Sequence, residues 1–148
     1  MKIYLNKFYY EGAVTDEVRS FLNSSTTIEW LILEGEGIFS DISYLYNLKE
    51  LEILSLKISE DENEDDLKRL LGGNKTYQPL PNITEFSYEG VLTDEIRGFI
   101  LSMPNLEALN LRGHLSTDLN FLSNLTKLKE LYIKLEKMNI LSIMLRFV

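Results

Sequence analysis

A chain of 148 residues that is 45% hydrophobic has the size of one domain, able to bury about 70% of its unfolded surface. Its formal charge of −8 disfavours nucleic acid and anionic membranes as partners, since both require clustered Lys and Arg; it either serves solubility alone or suits a basic protein surface. Without cysteine there are no disulfides or thiolate metal sites, and the lone His114 leaves neither a zinc site nor a Cys–His pair to assemble.

The chain opens on "MKIYLNKFYYEGA", which lacks the apolar core of a signal peptide. No run approaches the roughly 18 apolar residues of a membrane span, so the expectation is a soluble, cytoplasmic protein. Leu5, Phe8 and Tyr10, spaced i, i+3 and i+5, form the first of six such apolar triplets. The last two members of each alternate like a short strand, with the first at its entrance. A helix is expected next. Gly12 turns the chain out of the sheet, Thr15 caps, and Asp16 and Glu17 favour the positive helix end. Val18, Phe21 and Leu22 are spaced to pack behind the sheet.

The second and third triplets are Ile28-Leu31-Leu33 and Leu51-Leu54-Leu56. The stretch 59–81, "SEDENEDDLKRLLGGNKTYQPLP", then interrupts the rhythm. Its Asp61-Asn63-Asp65 spacing imitates a calcium loop, but Asp66 and Gly72 stand where such a loop requires Gly and Glu. An acidic helix start with Leu67, Leu70 and Leu71 facing inward, ended by Gly72-Gly73, is the expectation. A second reading is an acidic prong for a basic partner.

Beyond it come Ile83-Phe86-Tyr88, Leu106-Leu109-Leu111 and Leu128-Leu131-Ile133. "YEGAVTDEVRSFL" at 10–22 returns as "YEGVLTDEIRGFI" at 88–100, with eight of thirteen positions identical. Gly90, Thr93, Asp94, Glu95, Ile96, Phe99 and Ile100 thereby inherit the roles of their counterparts. The likeness continues from 26–35 to 104–113 and from 41–57 to 118–134, so most of the chain is a tandem duplication with halves at about 1–78 and 79–148. The closing "MNILSIMLRFV", 138–148, is too short to span a bilayer and reads as an apolar cap, or else as a dimerisation surface on an otherwise monomeric protein.

Successive triplets begin 23, 23, 32, 23 and 22 residues apart. Connections of that length exclude a hairpin meander and suit parallel strands that bury each other's apolar faces. The pattern resembles the leucine-rich repeat family, L-x-x-L-x-L with a 20–29-residue period, over nearly the whole chain. "DISYLYNLKELEILSL" and "TDLNFLSNLTKLKELYI" are similar to the 22-residue repeats of internalin-like proteins, although Glu36, Ser59 and His114 replace the family's Asn or Cys. The resemblance implies an α/β solenoid of six short parallel strands, with helices or loops on the convex face and partners on the concave one.

The strand period of two gives the residues of that concave face. Tyr9, Trp30, Ile32 and Ile53 should form one apolar patch bordered by Glu11 and Glu34, an aromatic centre with a charged rim. These six are the candidate partner-binding residues. Phosphate-loop and dinucleotide motifs are absent, His114 falls where an exit loop is expected, and 23 scattered acids single out no carboxylate pair. The expectation is a non-catalytic recognition module without cofactor or metal. The alternative is a small acidic inhibitor or immunity protein that neutralises a basic toxin or nuclease.

Overall fold

The computed structural model describes residues 4–59 and 77–137. The calcium-like spacing, the helix expected at Leu67–Leu71 and the apolar segment 138–148 lie outside the described residues. Among the described residues six strands form one sheet in chain order, with every neighbouring pair parallel. They are β1 (Lys7–Glu11), β2 (Trp30–Gly35), β3 (Ile53–Ile58), β4 (Glu85–Leu92), β5 (Ala108–Leu115) and β6 (Glu130–Lys137). Between them run α1 (Asp16–Asn23), α2 (Ser43–Asn47), α3 (Asp94–Leu101) and a 3₁₀ turn at Asn120–Asn124. The molecule is thus mixed α/β around a parallel sheet. Among the described residues no helix is long and apolar enough to cross a membrane.

One backbone device recurs at all five junctions. The carbonyl of Asn6 accepts from both Glu29 N and Trp30 N, at 2.8 and 3.0 Å. The carbonyls of Glu29, Glu52, Thr84 and Glu107 each do the same for the two residues that open the next strand. Three-residue steps lead into two of these entrances. Leu45, Leu48 and Leu51 each donate to the carbonyl three residues back, and Leu122, Leu125 and Leu128 repeat the series. An apolar residue every third position on such a tight path keeps all of them on one side.

That side is the core. Leu31, Leu33, Leu54, Leu56, Phe86, Tyr88, Leu109 and Leu111 point from the sheet against Leu22, Tyr44, Leu45, Ile96, Phe99 and Ile100. Phe99 is the hub, meeting Phe39, Tyr77 and Phe86 edge-on at 5.6, 5.6 and 5.7 Å.

The doubled phrase keeps its predicted roles in part. Thr15 and Thr93 are N-caps, their side chains accepting from Val18 N and Ile96 N. The Tyr10 and Tyr88 hydroxyls donate to the carbonyls of Ala13 and Val91, at 2.9 and 2.8 Å. Three expectations need correction. Phe21 packs on Phe8 behind β1, ring centres 5.1 Å apart, but does not share the burial of Phe99; it is 42% exposed, β1 being the end strand among the described residues. His114 lies within β5, paired with Val91 and Glu136, and not in an exit loop, because the later strands run three residues past the point where β1 stops.

Gly90 is the third. Gly12 has φ +145°, but Gly90 has no positive φ, and β4 continues straight through it. What Gly90 supplies is room. A Cβ there would lie 2.8 Å from the Tyr88 hydroxyl, and its carbonyl reaches within 2.1 Å of where a Cβ on Gly113 would stand. Gly113, at φ +121°, therefore tolerates no side chain. Gly113→Ala is expected to cost about 2–4 kcal/mol in urea denaturation. Gly98→Ala, in α3 with only Tyr77 nearby at 3.7 Å among the described residues, should instead stabilise by about 0.5–1 kcal/mol.

Candidate recognition surface on the open face of the sheet

Alternate residues of each strand point away from the core, and parallel register lines them into three rows. Lys7, Trp30, Ile53, Glu85, Ala108 and Glu130 are successive partners across the sheet. So are Tyr9, Ile32, Ser55, Ser87, Asn110 and Tyr132, and likewise Glu11, Glu34, Lys57, Glu89, Arg112 and Lys134. All six candidate residues therefore lie together on β1–β3, at a strand spacing of about 4.8 Å. Tyr9 and Trp30 are 52% and 38% exposed, while their cross-strand partners Ile32 and Ile53 are half-buried.

The patch holds its own shape. Lys7 Nζ sits 3.7 Å from the centre of the Trp30 ring, a cation–π contact that fixes the indole along the sheet. The Tyr9 hydroxyl lies 3.2 Å from Glu11 Oε2 and 3.2 Å from Glu34 Oε2, and its single proton is shared between them. Partial desolvation against the sheet, followed by these two carboxylates, pushes Tyr9 up to about 12. Lys57 pairs with Glu89 at 3.2 Å, and that bond holds its ammonium pKa above the ordinary range. These groups are exposed, so their contribution to stability is small and their contribution to shape is the larger one.

The other half of the face differs in kind. Ala108 floors a depression of about 280 Å³ whose polar lining includes Glu85, Ser87, Asn110, Glu130 and Tyr132. Asn110 Oδ1 is buried there without a hydrogen-bond partner, and Arg112 lies over the Tyr132 ring at 5.1 Å. None of these residues is among the six that the sequence singles out. The signal for this half was the one small residue, Ala108, registered between Glu85 and Glu130.

Chemically the face can present aromatic surface, fixed charges and one orphan acceptor. Among the described residues no group of three or more His, Cys, Asp or Glu is arranged to hold a metal ion. No protein-family model matches the chain, and no curated protein matches it significantly.

Because Trp30 is the only tryptophan, its fluorescence reports on the face directly. Acrylamide should quench it readily in the native protein, and Trp30→Ala should change stability by no more than about 1 kcal/mol. In dilute, monomeric protein, blue-shifted emission shielded from quencher would instead place the ring off the open face.

Proposed function

We propose that the chain is a leucine-rich repeat solenoid whose open face docks another protein without catalysing a reaction on it. The observation that carries this reading is the alignment of Tyr9, Trp30, Ile32 and Ile53 on three adjacent strands, on the side away from the core. A repeat stack buries its apolar residues on the other face, so aromatic and branched side chains here serve no packing need of the fold. Glu11 and Glu34 at the border supply orientation and a faster encounter with a positively charged surface. The triplets at 22–23-residue steps and the chain-order parallel sheet support the family assignment.

A second reading is an acidic inhibitor of a basic toxin or nuclease. The charge of −8 favours it, as does the depression where Glu85, Glu130 and the orphan Asn110 Oδ1 could receive a cationic side chain.

Capture from the native cell tests both. The intact protein should retain a partner that folded Trp30→Ala and Ile53→Arg variants each lose by tenfold or more. The identity of that partner separates adaptor from inhibitor. Equal retention by all three baits would remove the patch from consideration.

A further inference from the structure

A repeat solenoid has one sheet face packed on its connections and the other free as an extended binding surface. Here the helices and turns cover one, and among the described residues the three outward rows stand open. The charges on those rows are not scattered. In the lower row Glu11 and Glu34 occupy the β1–β2 end, Arg112 and Lys134 the β5–β6 end, and the Lys57–Glu89 pair the middle. The upper row runs the opposite way, from Lys7 at β1 to Glu130 at β6.

We infer that the occupant of this face is a second copy of the same chain, related by a two-fold axis that runs along the strands between β3 and β4. The inference rests on the reading of the open face as a protein-docking surface and names its partner. Such an axis lays β1 over β6, β2 over β5 and β3 over β4 of the other copy, keeping each row against itself. Lys7 then faces Glu130, and Glu11 faces Lys134. Glu34 faces Arg112, and the two Lys57–Glu89 pairs meet head to tail. No like charges oppose each other, and every contact occurs twice, as an isologous interface requires.

Shape follows charge. Trp30, the bulkiest residue of the upper row, comes over Ala108, the smallest, at the depression of about 280 Å³. Tyr9 comes over Tyr132, with Arg112 already stacked on the latter. Two pairs oppose the arrangement, Ile32 over the Asn110 amide and Ile53 over the Glu85 carboxylate, since each sets an aliphatic side chain on a polar group. The other two-fold that keeps the faces together, with its axis across the strands, sets Glu85 against Glu89 and matches only two charge pairs. The aligned axis also brings the two sheets together with strands nearly parallel, a common geometry of sheet-on-sheet packing.

Net charge does not oppose the dimer at the contact. The nine charged residues of the three rows are four cations and five anions, a balance of −1 against −8 for the whole chain. Six strands at about 4.8 Å and five residues at about 3.3 Å make a face roughly 29 by 16 Å. Even with side-chain relief that is at the small end of stable interfaces, so dissociation is expected in the micromolar range.

Sedimentation velocity from about 1 to about 500 µM tests this. The intact chain should pass from monomer to dimer, at higher concentration when salt is raised. Glu34→Arg alone and Arg112→Glu alone, each folded by circular dichroism, should weaken the dimer tenfold or more. In either homodimer the changed residue meets a like charge twice. An equimolar mixture of the two variants should dimerise about as well as the intact protein, because every pair is again opposite in sign. Simple damage to either variant cannot produce that rescue. A monomer at the highest concentration overturns the proposal, as does a dimer indifferent to both reversals or a mixture that stays monomeric. In any of these cases, retention of a foreign protein by the intact face but not by Trp30→Ala would leave the docking reading standing and remove only the second copy.

Discussion

Everything on the open face depends on five carbonyl oxygens at the strand entrances. Each accepts two consecutive N–H groups from the following strand, and so fixes where that strand begins relative to its neighbour. A side-chain period of two makes this decisive. A slip of one residue would send Leu31 and Leu33 outward and Trp30 and Ile32 into the core. The step from the third to the fourth triplet is 32 residues instead of 22–23, yet Thr84 N and Glu85 N meet the Glu52 carbonyl as their counterparts do. Ile53 still partners Glu85, so the rows cross the insertion unbroken. The register belongs to the junction and not to the length of chain between junctions.

The apolar triplets made the strand order, the parallel pairing and the outward rows legible, because burial of one face and a period of two leave one consistent register. What depends on position within the stack was not legible. Phe21 and Phe99 sit in near-identical phrases, yet only Phe99 has covered strands on both sides. Leu54 and Leu131 occupy the same place in their triplets, and one is fully buried while the other, on β6, is 47% exposed. Sequence records what a residue offers its neighbours, and among the described residues the end strands have a neighbouring strand on one side only.

Backbone detail was legible only where it was local. Thr15 and Thr93 cap their helices because the cap, the acidic first turn and the apolar stripe all fall within one turn. The glycines were harder. Gly12 and Gly90 share a phrase but not a conformation, since β4 continues past Gly90 beside Gly113 and β1 stops before Gly12. That difference needs the neighbouring strand to be known. The same holds for α2 and the 3₁₀ turn, which share a pattern and differ in helix type.

The two halves divide their inheritance by face. Facing inward, Phe8, Tyr10, Leu31, Leu33 and Leu54 reappear unchanged as Phe86, Tyr88, Leu109, Leu111 and Leu131, and Leu56 becomes Ile133. Facing outward, only Glu11 and Lys57 are kept, as Glu89 and Lys134. Packing accounts for the first set, since a core at crystalline density tolerates little change of volume. It places no such demand on the second, and relaxed constraint alone would give unrelated polar residues. Some replacements are instead inversions. Lys7 becomes Glu85, Glu34 becomes Arg112, and Trp30 becomes Ala108. A face whose two ends carry opposite charge and opposite relief can meet another copy of itself, which a face of two identical halves could not do without setting like against like. The inward rows repeat between the two halves and the outward rows do not, which leaves the lower row of the sheet acidic at one end and basic at the other.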